Sequence, residues 1–69
     1  MTVMNKLETA LASAKGLAAD LKTFSLDTDD QSAKQMFNML SSNAENMAQM
    51  IENRVNHLKS EEPQYNKQQ

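Results

Sequence analysis

Ser25-Leu26-Asp27-Thr28-Asp29-Asp30 is a short acidic break between two long stretches in which apolar residues recur every three or four positions. Ser, Thr and Asp suit a helix start. Their side-chain oxygens accept hydrogen bonds from the orphan amides of the first turn, and carboxylates oppose the positive end of the helix dipole. Thr28 followed by Gln31 fits the capping-box spacing. Leu26 is placed to fold back on the second helix as an apolar staple. The break therefore predicts one tight turn between two helices, and with it an all-α antiparallel hairpin.

Toward the N-terminus the spacing predicts a helix over about residues 3–24. Met4, Leu7, Leu11, Ala14, Ala18 and Leu21 step by three and four and fall at heptad a and d positions. Val3, Ala10, Leu17 and Phe24 occupy the flanking g position and widen that seam, as in a bundle helix. Asn5, Lys6, Thr9, Ser13, Asp20 and Thr23 take the opposite face, with Gly16 among them. Toward the C-terminus a second helix is predicted over about residues 29–60. Ala33, Phe37, Leu40, Ala44, Met47, Ile51 and Leu58 read as its seam, broadened by Met36, Ala48, Met50 and Val55. Asn38, Ser41, Ser42, Asn46 and Asn53 read as its polar face. Pro63 forbids continuation, so the chain divides into a hairpin over 1–60 and a polar tail over 61–69.

Size and composition narrow the function. At 69 residues the chain has room for one domain, whose core rarely supplies more than about 3–5 kcal/mol. Cysteine is absent, which leaves out disulfides and thiolate metal sites. The net charge is −2, and the seven basic residues are scattered singly, so no nucleic-acid partner is expected. No apolar run is long enough for a transmembrane segment and the opening residues are too polar for an export signal, so the expected location is cytoplasmic.

Helix lengths point to association. At about 1.5 Å per residue the first predicted helix is ~33 Å long and the second ~48 Å. The second would overshoot the first and leave Val55 and Leu58 without an intrachain partner. A symmetric homodimer is expected, most simply a four-helix bundle, with Met36, Met47, Met50, Ile51, Val55 and Leu58 at the interface. Coverage of Ile51, Val55 and Leu58 by their own chain would remove that basis.

Candidate chemistry is sparse. Asp27, Asp29 and Asp30 invite a calcium loop, but counting from Asp27 the sixth and twelfth positions are Ser32 and Asn38, where glycine and glutamate are needed. Helix capping explains the acids better. Met1/Met4, Met36/Met39 and Met47/Met50 are each spaced by three, and soft thioethers at that spacing, with His57 beyond, suit Cu(I). Adaptable packing at helix contacts explains them more simply. His57 has Arg54 where a di-iron bundle would need Glu, and its place near a helix end suits dipole stabilisation. Arg54 falls on the seam and is expected to snorkel outward or fork to Glu8 or Glu52. No catalytic residues, no cofactor and no enzyme activity are expected.

Glu61-Glu62-Pro63-Gln64-Tyr65, preceded by a long helix carrying Arg54-Val55, resembles the ending of a small uncharacterised family from endospore-forming bacteria. Met1-Thr2-Val3 fits the same pattern, as do Thr23-Phe24-Ser25-Leu26 and the later Ala33-Lys34 and Phe37. The resemblance spans essentially the whole chain. It implies a domain of unknown function, often encoded beside spore inner-membrane proteins of the SpoVA type, and carries over no catalytic residues. Pro63 and Tyr65 would then form a docking tail, with Tyr65 supplying apolar area and a hydroxyl. The expected function is protein–protein contact in a sporulation or spore-resistance setting. An accessory subunit docked on a spore membrane protein, or on the membrane surface, is the alternative.

Overall fold

The computed structural model describes residues 2–61. Two helices account for nearly all of them: α1, Thr2–Asp27, and α2, Gln31–Glu61. They pack on each other as an antiparallel hairpin joined by Thr28, Asp29 and Asp30. The all-α hairpin expected from the spacing is the fold.

The turn is tighter than the acidic break implied, because α1 runs on through Ser25, Leu26 and Asp27. The Thr28 amide still donates to the Phe24 carbonyl at 3.1 Å. Capping falls to Asp30 and not to Thr28. Asp30 Oδ2 accepts from the Ala33 amide at 3.0 Å, and its carbonyl accepts the first α2 bond from the Lys34 amide at 2.8 Å. Thr28 Oγ1 instead accepts from the Asp30 amide at 3.3 Å and shapes the bend. Lys34 Nζ reaches back to the Ser25 carbonyl at 2.9 Å, placing a cation on the negative end of α1. Leu26 is exposed and does not staple the turn, since one more helical turn carries it to the outer surface.

The core is a narrow seam with mostly small residues at its most buried positions and larger, half-buried ones at the others. On α1 its positions are 4, 7, 11, 14, 18, 21 and 25; on α2 they are 34, 37, 41, 44, 48, 51, 55 and 58. Both runs alternate steps of three and four, a strict heptad a/d pattern. The buried apolar residues are Ala14, Ala18, Ala44, Ala48 and Val55, joined by Ser25 and Ser41. Ser41 Oγ donates across the interface to the Ala18 carbonyl at 2.9 Å, a side chain-to-backbone reach that requires the helices to lie close. Ala18, Ser41, Ala44 and Ala48 permit this approach because little side chain projects between the backbones there.

This corrects the predicted α2 seam. Leu40 and Met47, read as core, are 41% and 50% exposed, while Ser41, read as polar face, is buried. The rows lie side by side on the helix, and close approach selects the row of small residues, not the row of greasier ones. Val55 was expected on an uncovered overhang and is only 3% exposed; Leu58 is half-buried. α1 is longer than predicted, about 39 Å against about 47 Å for α2, so it reaches far enough to cover Val55. The overhang argument for association therefore fails, and any such argument must stand on another surface.

Candidate interaction surface

In an antiparallel pair the two e rows share one flank of the seam and the two g rows share the other. Position e holds Glu8, Lys15 and Lys22 on α1, and Asn38, Glu45, Glu52 and Lys59 on α2. These rows meet as expected: Lys15 Nζ lies 3.9 Å from Glu52 Oε1, and Lys59 Nζ 3.8 Å from Glu8 Oε2. A shallow groove over Ala18, Ala19 and Ala48 runs between Lys15, Glu45 and Glu52 on this side.

The g rows are different. They hold Val3, Ala10, Leu17 and Phe24 on α1, and Ala33, Leu40, Met47, Arg54 and Glu61 on α2. Val3, Leu17, Phe24, Leu40 and Met47 are all exposed. The neighbouring c row of α2 adds Met36 and Met50, the latter 69% exposed. Phe24 packs edge-on to Phe37, with ring centroids 5.8 Å apart and planes at 61°, so the turn end of this flank is anchored to the seam. One side of the hairpin is thus ionic and the other an apolar strip built from both helices.

Of the residues expected at an interface, Met36, Met47 and Met50 lie on this strip. Val55 is buried inside the hairpin, and Ile51 and Leu58 are half-buried on its seam. Val3, Leu17, Phe24 and Leu40 belong to the strip and were not singled out. Their signal was legible as i, i+7 rows, but it needed the register between helices to show that the rows coincide.

Arg54 is exposed at a g position and not on the seam, so no interior charge needs accommodation. Its expected partners are engaged otherwise, Glu8 with Lys59 and Glu52 with Lys15. His57 Nε2 lies 3.1 Å from Glu61 Oε2, one helical turn on. Met39, the second member of one methionine pair, stands exposed on the outer face. Among the described residues no three His, Asp or Glu side chains gather as a metal site. No helix among them is long and apolar enough to cross a membrane. The tail residues Pro63 and Tyr65 lie outside the described residues.

The fold and its one unmatched flank define a small all-helical hairpin module. The chain belongs to the protein family of unknown function DUF1657, whose model matches residues 7–55. That span takes in most of both helices and the turn, including Leu17, Phe24, Leu40 and Met47. No curated protein and no solved structure matches the chain.

Proposed function

We propose that this chain is a non-enzymatic helical protein acting through protein–protein contact, with the apolar flank as its working surface. One observation carries this: Leu17, Phe24, Leu40, Met47 and Met50 stand exposed together on one side of the hairpin, while paired charges occupy the other. Contiguous apolar surface rimmed by polar residues is typical of interaction sites. Methionine is well suited to such a face, because its unbranched thioether adapts to the shape of a partner. The ionic pairs that form, Lys15 with Glu52, Lys59 with Glu8 and His57 with Glu61, are all about half exposed at the surface.

The setting we attach to this activity is the cytoplasm of a spore-forming cell, with a SpoVA-type spore membrane protein as a partner to test. Both rest on the resemblance carried by Glu61 to Tyr65 and the central Thr23-Phe24-Ser25-Leu26. The membrane surface itself is a poorer partner, since Asn38, Ser42, Asn46 and Asn53 stand on α2 where anionic lipid would favour Lys or Arg. A photo-crosslinking residue placed at Met47, and separately at Gln49 on the other side, tests the proposal in sporulating cells. Protein adducts are expected from position 47 and not from 49. Adducts from neither, or lipid adducts alone, would defeat it.

A further inference from the structure

We infer that the apolar flank is covered by a second copy of the same hairpin, packed face to face and antiparallel, with α1 against α1 and α2 against α2. This deepens the proposal above and rests on it. Three features select this occupant.

The first is area. Val3, Leu17, Phe24, Met36, Leu40, Met47 and Met50 together expose on the order of 700 Å², close to the ~800 Å² per partner of a stable interface and above what a lone domain usually leaves open. The second is need. Among the described residues four alanines and one valine are the fully buried apolar side chains, and the larger seam residues such as Leu7, Leu11, Leu21 and Ile51 stay half-buried, a thin core for a chain of this size. A strip that is part of every copy is the one surface always available to complete it.

The third is charge, and it sets the orientation. The c row of α1, which borders the strip, reads Lys6, Ser13, Asp20 and Asp27, running from basic at the open end to acidic at the turn. Lys6, Asp20 and Asp27 enter none of the ion pairs within the described residues. A two-fold axis across the middle of the hairpin lays α1 antiparallel on its copy and brings Lys6 alongside the partner's Asp20 and Asp27. The other face-to-face pairing has its axis along the hairpin and stacks turn on turn. It would set Lys6 beside the partner's Arg54 and the partner's His57, itself paired with Glu61, and leave Asp20 and Asp27 beside apolar residues. Complementary charge favours the first arrangement, and the second leaves Asp20 and Asp27 unmatched. In the favoured arrangement Met47, one residue from the middle of α2, lies near the axis and meets its own copy.

Sedimentation equilibrium on the full chain at micromolar concentration, with single-cysteine variants, tests this. The chain has no cysteine, so the background is clean. We expect twice the 7.8 kDa chain mass, a self-disulfide from Met47→Cys under mild oxidation, and none from Leu40→Cys, whose copies would stand about two turns either side of the axis. Leu17→Glu with Met47→Glu should give a monomer. Lys6→Asp and Asp20→Lys should each weaken the dimer, about tenfold if the contact is worth one strong charge pair, and together restore it. The charge swap remains decisive should the glutamate variant fail to fold. A wild-type monomer, a different stoichiometry, or a dimer that cross-links through Leu40→Cys and not through Met47→Cys would overturn the inference. A monomer whose position 47 still forms adducts with another protein in cells would leave the proposed function standing and remove the second copy.

Discussion

The ionic flank and the apolar flank share the same two helices, the same length and the same small-residue seam, yet they differ in what they leave to be done. On the ionic side Lys15 meets Glu52 and Lys59 meets Glu8, both pairs about half exposed and still hydrated. Water already satisfies such groups, so the flank is complete as it stands and contributes little to stability. On the apolar side Leu17, Leu40, Met47 and Met50 meet water, which gives them nothing comparable. The contrast teaches that a hairpin can be finished on one side and unfinished on the other. A helix surface pattern must therefore be judged row by row and not helix by helix.

That contrast can be broken or sharpened by substitution. The largest effect is expected at the seam common to both flanks. Ala44, 1% exposed, has no room for a larger side chain, so Ala44→Leu should cost about 1–3 kcal/mol in urea unfolding. Against a core worth about 3–5 kcal/mol, this is a large fraction of the stability. On the apolar flank a double-mutant cycle over Phe24→Ala and Phe37→Ala should return a coupling of about 0.5–1.5 kcal/mol, insensitive to salt. Between the flanks, on the outer face, Gly16 is helical with nothing within 4 Å of an added Cβ. Gly16→Ala should therefore raise stability by about 1 kcal/mol, read as a higher melting temperature at unchanged association. The smallest effect belongs to the ionic flank. A cycle over Lys15→Ala and Glu52→Ala should give only about 0.2–0.5 kcal/mol and fade as salt is added. A large, salt-resistant coupling there would erase the distinction between the flanks.

Much of the architecture was legible in the residues. The Ser-Asp-Thr-rich break located the turn, and Met4, Leu7, Leu11, Ala14, Ala18 and Leu21 marked the α1 seam that is observed. On α2 the structure departs from the pattern of hydrophobicity for a definite reason. Leu40 and Met47 are more hydrophobic than Ser41 and Ala48, so ranking by hydrophobicity placed them inward. The hairpin instead buries the small row, because close approach of the backbones and the Ser41-to-Ala18 hydrogen bond outweigh the gain from larger side chains. Val55 is covered because α1 begins at Thr2 and extends to Asp27, longer than its apolar periodicity predicts. Met36, Met47 and Met50, expected at an interface, are exposed, and the α1 half of the strip carries no comparable signal in the sequence.

The sequence by itself determined that there are two helices, where they turn and which face of α1 is apolar, because periodicity and capping chemistry act over one or two helical turns. Only the tertiary structure decided which row of α2 faces inward, how far α1 covers it, and that Leu17, Phe24, Leu40 and Met47 fall on one common flank. The physical reason is register. A slide or rotation of one helix against the other leaves every local preference unchanged and alters every contact between them.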